Sequence, residues 1–157
     1  MKIKKPRTIG RVEKIDFPDF NLLEIDAKID TGAYTSAIHC HDIVSFKEDE
    51  QEMVSFKLLD PSHPAYNHKE IKLPVKARRN IKNSFGQVQK RIIVQARMRI
   101  YDKTYKVELS LADRSKLEYP VLLGRKALYN RFIVDVSQKN MAYNLKQHSI
   151  NNEKATK

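Results

Sequence analysis

The residues best suited to chemistry are Asp30-Thr31-Gly32. They end a run in which Leu22, Leu23, Ile25, Ala27 and Ile29 supply the apolar positions of a strand. The small residues let the backbone turn sharply after the aspartate. Its carboxylate then projects from a strand end, where it can exchange protons with water or a substrate. Thr31 can hydrogen-bond locally and fix that turn. An Asp-Thr-Gly triplet by itself is more often a turn or a cap than a catalytic site. Two features argue for chemistry here. One is the apolar strand before it. The other lies far downstream in Tyr119-Pro120-Val121-Leu122-Leu123-Gly124-Arg125, where two large apolar residues precede Gly-Arg and a short helix carrying Ala127 and Leu128.

Other chemistries are less well supported. Cys40 is the one cysteine, so it forms no internal disulfide, which fits a reducing compartment. It reads as a small buried residue. His39 and His41 flank it, but strand neighbours point to opposite faces, so no Cys–His catalytic pair is expected. The two histidines share a face and could in principle share a metal. A catalytic zinc site, however, takes three protein ligands, often as His-Glu-x-x-His, and that motif is missing. A Gly-x-x-x-x-Gly-Lys loop for ATP is missing too, and the chain has only 4 glycines to build a phosphate cradle. Neither zinc nor ATP, nor any other cofactor, is expected. A second carboxylate in the same chain would have to come from Asp113, in Ala112-Asp113-Arg114-Ser115. Its setting lacks Thr-Gly, and Arg114 beside it reads as part of a surface turn, so Asp113 is not expected to serve.

The elements that must position Asp30 are strands. Apolar residues alternate with polar ones at Ile71, Leu73, Val75 and Ala77, at Val94, Ala96, Met98 and Ile100, at Tyr105, Val107, Leu109 and Leu111, and at Val54, Phe56 and Leu58. Period two marks strands with one face on a core. Asp102-Lys103 falls at the spacing of a tight hairpin turn. Asn83-Ser84-Phe85-Gly86 reads as another hairpin tip, and Asp60-Pro61-Ser62-His63-Pro64 as a loop stiffened by its prolines. Only the stretch from Arg125 to about Tyr129 reads as a helix. The chain is expected to be an all-β domain over 10–146, with a basic arm over 1–9. A disordered tail is expected over 147–157, polar and aperiodic from His148 onward. The active-site triplet occurs once, and no internal repeat is evident.

A length of 157 residues allows one domain with a proper core. No apolar run is long enough to span a membrane, and the charged start, Met1-Lys2-Ile3-Lys4-Lys5-Pro6-Arg7, leads into no apolar signal-peptide core. The expected compartment is the cytoplasm. The formal net charge of +11 favours acidic partners: nucleic acid, anionic lipid or an acidic peptide. An RNA- or ribosome-binding β-domain without catalysis is therefore the main alternative reading. Against it, aromatic residues make up 8% of the chain and tryptophan is absent, so no stacking platform is evident.

Asp-Thr-Gly-Ala followed late in the chain by apolar-apolar-Gly-Arg and a short helix resembles the retropepsin-like aspartic peptidases. A closer resemblance runs from about Gly10 to Tyr143. It is carried by Lys28-Ile29-Asp30-Thr31-Gly32-Ala33, Thr35-Ser36-Ala37-Ile38-His39, Phe85-Gly86-Gln87-Val88-Gln89-Lys90-Arg91, Leu122-Leu123-Gly124-Arg125-Lys126-Ala127-Leu128 and Arg131-Phe132-Ile133-Val134-Asp135. Together these look like a bacterial family, retropepsin-like in fold, that is named for ATP-dependent zinc proteases. The sequence departs from that pattern at Tyr34. Family members usually carry a basic residue there, and viral retropepsins an Asp that pairs with the Arg of Gly-Arg.

The resemblance implies a single-lobe barrel and an aspartic endopeptidase, with Asp30, Thr31 and Gly32 as the catalytic loop. Leu122, Leu123 and Gly124 would support that loop. Ala33, Tyr34, Phe85, Gly86 and Arg125 would meet the substrate. It also implies a homodimer, because aspartic proteolysis needs two carboxylates and each chain supplies one. Two carboxylates about 3 Å apart share one proton. The ionised one activates water, and the protonated one assists the carbonyl and then the leaving amine. The stretch from Arg79 to Arg91 around Gly86 would be the flap. Arg78, Arg79, Lys82, Lys90 and Arg91 would make the mouth of the site positive and favour acidic peptides. Some relatives are associated with an enzyme that adds glutamates to a ribosomal protein, which points the same way.

Overall fold

Alternation builds the core of the molecule. The computed structural model describes residues 5–83 and 85–155. Residues 1–4 of the expected basic arm, Ser84 of the expected hairpin tip and residues 156–157 of the expected tail lie outside the described residues. The strands are β1 (Arg7–Ile9), β2 (Val12–Phe17), β3 (Leu22–Ile29), β4 (Ser36–Glu48), β5 (Gln51–Leu58), β6 (Glu70–Pro74), β7 (Ala77–Lys82), β8 (Val88–Ile100), β9 (Lys103–Ala112), β10 (Val121–Leu123) and β11 (Phe132–Val134). Helices α1 (Arg125–Leu128) and α2 (Met141–Ala155) complete the chain. In β8, Val94, Ala96, Met98 and Ile100 are buried while Gln95, Arg97 and Arg99 are exposed. In β9, Val107, Leu109 and Leu111 are buried beside them.

The strand ladders run β10–β3–β2–β8–β9–β4, and β4 pairs back onto β10. This closes a ring of strands around Ile15, Ile25, Ile38, Val94, Met98 and Leu109, all essentially inaccessible. The ring is thinnest between β2 and β8, where a single residue pair, Asp16 with Arg99, joins them. The expected all-β architecture is present, and the expected barrel takes the form of this partial ring. The antiparallel strands β5 and β6 extend from β4, and β7 pairs with β8.

Three expectations change. The run from Ile71 to Ala77 is two strands rather than one. β6 pairs with β5 and β7 with β8, and the chain crosses between them where Val75 N–H donates to Glu52 O and Lys76 N–H to Ile93 O. The β8–β9 hairpin turns at Tyr101-Asp102, because Ile100 already pairs with Lys103. Tyr101 takes the left-handed conformation (φ 58°), and its hydroxyl donates to Thr8 O at 2.6 Å. The expected disordered tail is instead the longest helix, α2, which runs through Ala155.

The cause of this last change is a long-range cap. The Glu13 side chain on β2 is fully buried. Its Oε2 accepts from Gly10 N–H at 2.7 Å and Met141 N–H at 3.0 Å, and its Oε1 accepts from Ala142 N–H at 3.0 Å. Two of those amides belong to the first turn of α2, whose donors have no partner within the helix. Such a cap comes from the far end of the chain, so no local sequence signal announces it.

Candidate active site

Asp30 stands at the point where β3 ends. Its Oδ1 accepts from Gly32 N–H at 2.9 Å, and Ala33 N–H donates to Asp30 O at 3.3 Å. The side chain therefore caps its own tight turn. A Cβ on residue 32 would lie 3.2 Å from that carboxylate oxygen, a tight contact that would press on the Asp30 side chain. Asp30 is half-buried, while Thr31 and Gly32 face solvent.

The downstream segment is threaded between the two strands that flank this turn. β10 pairs in parallel with the end of β3, with Leu122 opposite Lys28 and Leu123 opposite Ile29. On its other side it pairs antiparallel with the start of β4, with Val121 opposite Ile38 and Leu122 opposite Ala37. Asp30 N–H donates to Leu123 O at 2.9 Å. Gly124 N–H donates to Ser36 Oγ at 3.0 Å, Arg125 N–H to Ala33 O at 2.7 Å and Lys126 N–H to Tyr34 O at 3.0 Å. The loop after Asp30 is thus bonded at successive positions to the start of α1. Gly124 has no room for a side chain, since a Cβ would stand 2.7 Å from Tyr34 O and 2.8 Å from Ala33 O.

Arg125 ties the same loop from outside. Its Nη1 donates to Thr31 O at 3.0 Å, and its guanidinium carbon lies 5.8 Å from the centre of the Tyr34 ring. Tyr34 thereby gives Arg125 an aromatic face where an acidic partner would otherwise stand. Tyr34 itself is 55% exposed. Phe85 and Gly86 sit apart from these residues, at the tip of the β7–β8 hairpin. Asn83 Oδ1 accepts from the N–H groups of Phe85 and Gln87, Gly86 takes φ 81°, and Phe85 is 85% exposed.

His39 and Asp113 both have local partners. His39 is buried and both its ring nitrogens are engaged. Nδ1 accepts from Arg114 N–H at 2.7 Å, so Nε2 carries the proton and donates to Asp60 Oδ1 at 2.8 Å. Its place is in the framework. Cys40 is buried, and its thiol is pushed up to about 12 by burial, the opposite of an activated nucleophile. Asp113 points outward, and its Oδ1 accepts from the N–H and Oγ of Ser115. Arg114 does not belong to a surface turn as expected. It is 9% exposed, its Nε donates to Tyr119 O at 3.1 Å, and it lies within electrostatic reach of Asp30. Sequence reading missed it because its placement depends on contacts with His39 on β4 and with Tyr119 in the connection from β9 to β10.

Residues 8–144 match the RimB-like family, described as the retropepsin-like aspartic endopeptidase RimB. The chain belongs to this family. Relatives of this RimB-like chain include a "Probable alpha-L-glutamate ligase" of Shewanella halifaxensis, 37% identical over 134 residues. That match covers 83% of this chain and 28% of the relative. A protein of Parasynechococcus marenigrum with the same name is 30% identical over 146 residues, covering 90% of this chain and 30% of the relative. The RimB-like chain therefore spans less than a third of the length of these curated relatives. A crystal structure of a Legionella pneumophila protein of unknown function superposes with a TM-score of 0.73 at 25% identity, covering 87% of this chain and 98% of that one.

Proposed function

We propose that the chain is an aspartic endopeptidase in which Asp30 of one chain and Asp30 of a second chain form the catalytic dyad. The observation that carries this reading is the Asp30 turn itself. A half-buried carboxylate is fixed by its own loop, and that loop is bonded residue by residue to β10 and α1. Preorganisation of this kind is what general acid–base catalysis on water requires. Family membership supports the reaction class. Each chain supplies one such carboxylate, and a two-fold axis supplies the second. Tyr129, Ile133 and Val136 follow α1 at 75%, 56% and 73% exposure and offer apolar surface for a second chain.

The favoured substrates are acidic peptides. The chain carries a net charge of +11, and relatives that contain this domain are named for glutamate ligation. RNA is the competing acidic partner. Salt-dependent RNA binding that survives Asp30→Asn, with no peptide cleavage, would favour it.

Mixing wild-type chains with increasing amounts of the Asp30→Asn variant tests the shared dyad. A site built from two chains loses activity as the square of the wild-type fraction. A linear fall would place the whole site within one chain and end the dimer reading.

A further inference from the structure

Arginine is rarely buried without an anion, because the lost hydration costs several kcal/mol. Arg114 has no ion-pair partner among the described residues, although the aspartate proposed to be catalytic lies within electrostatic reach. Only 9% of it is accessible. Its backbone N–H is held by His39, which is held in turn by Asp60. Its Nε is spent on Tyr119 O. Among the described residues, no carboxylate lies within ion-pair distance of Arg114, and its two Nη atoms have no hydrogen-bond partner. A second guanidinium, Arg91 on β8, is close enough to repel it. Arg91 is itself half-buried and is bonded through Nε and Nη2 only to the neutral amide of Gln89.

Burial and the neighbouring Arg91 both push the charged form of Arg114 towards instability, and only Asp30 offsets them. Arg114 thus lies within electrostatic reach of one half-buried carboxylate and of a second, partly desolvated cation, which leaves an excess of positive charge around it. Bringing a further carboxylate to the two guanidinium groups would relieve it. The free Nη edge of a guanidinium fixed through Nε is the shape that receives a carboxylate.

We propose that Arg114, with Arg91 beside it, forms a carboxylate-reading subsite next to Asp30 that takes an acidic side chain, Glu or Asp, of the bound peptide near the bond to be cleaved. The proposal rests on the peptidase reading above and assigns its specificity to named residues. The Asp60–His39 pair positions the main chain of Arg114. Arg91 comes from the hairpin whose tip carries Phe85, so the two halves of the subsite belong to different elements.

The test uses two peptides that differ only by Glu or Gln at one position. The wild-type chain is expected to favour the Glu peptide roughly ten- to a hundredfold in kcat/KM, the range for a hydrogen-bonded charged pair. In Arg114→Gln that preference collapses to about one, and in Arg91→Gln it falls part of the way. A purely structural role for Arg114 would lower both rates together and leave their ratio intact. Should Arg114→Gln fail to fold, Arg91→Gln and Arg114→Lys carry the test, the latter keeping the charge and losing the fork. Equal rates for the two peptides in the wild type, or a ratio unmoved by every variant, would overturn the proposal. Binding of both peptides to the Asp30→Asn chain is measured in parallel. Tighter binding of the Glu peptide that depends on Arg114, in a protein whose wild type cuts neither peptide, would keep the subsite and remove the peptidase reading.

Discussion

The main-chain amide of Asp30 donates to the carbonyl of Leu123 at 2.9 Å. That bond joins the end of β3 to the end of β10 and places the proposed catalytic residue beside the Leu-Leu-Gly-Arg segment. Gly124, the next residue, packs its α-carbon against the carbonyls of Ala33 and Tyr34. Gly124→Ala therefore forces the two loops apart. A loss of roughly 2 kcal/mol is expected, within the range for overpacking. For a domain of this size that lowers Tm by about 4–8 °C. Thermal unfolding checks the first effect, and peptide cleavage should suffer more than stability, because the displaced loop is the one that carries Asp30.

Glu13 on β2 fastens α2 through the amides of Met141 and Ala142 and also accepts from Gly10 N–H. Glu13→Ala leaves those donors buried without partners, and each unsatisfied group costs about 1–3 kcal/mol. Release of α2 should appear as a lower midpoint in denaturant and as fast amide exchange over Met141–Ala155. Normal protection of that helix in the variant would show that the cap is not what holds it.

Glu108 on β9 receives Lys126 Nζ from α1 at 2.8 Å and stands 2.8 Å from Arg79 Nη1 on β7. The Arg79 contact is not aligned as a hydrogen bond, so it acts as an ion pair. Burial pushes the Glu108 carboxyl up, but Lys126 and Arg79 outweigh it and hold it below its ordinary value of 4.5. The folded state thus binds this proton less readily than the unfolded chain. The resulting stabilisation is present above pH 4.5 and fades as pH falls through the lower folded value. Wild type should exceed Glu108→Gln in stability at neutral pH, and the gap should close under acid. A gap that persists unchanged down to about pH 2 would mean the pair contributes through packing rather than charge.

Cys40 should resist thiol reagents in the native chain, because burial pushes its thiol up to about 12. Labelling at about pH 8 is expected only on unfolding. Rapid labelling of the native protein would show that this part of β4 opens readily.

Much of this arrangement is legible in the sequence, and the reason is local. Asp30-Thr31-Gly32 is a turn that its own residues define, and β8 and β9 announce themselves by alternation. Gly124 and Ser36 are joined by a hydrogen bond across the fold. The apolar-apolar-Gly-Arg pattern marks one end of that bond; Ser36 at the other end lies within the Thr35–His39 stretch of the resemblance, but nothing there announces its pairing with Gly124. What stayed hidden depends on distant partners. The helix α2 lacks a strong apolar stripe and is capped by Glu13 from the other end of the chain. Arg114 reads as a surface residue because arginine usually is one, and its contacts with His39 on β4 and with Tyr119 after β9 appear only in the folded chain. Tyr101 takes a left-handed turn that favours other residues because its ring is covered by Arg7 and its hydroxyl reaches Thr8.

The most direct measurement is cleavage of an unstructured peptide library, glutamate-rich members included, between about pH 4 and 8. Wild type and Asp30→Asn are run side by side with a metal chelator present. Asp30 as the catalytic carboxylate predicts cleavage by the wild type that the chelator leaves intact and the substitution abolishes. Cleavage that survives Asp30→Asn, or that the chelator removes, would contradict it.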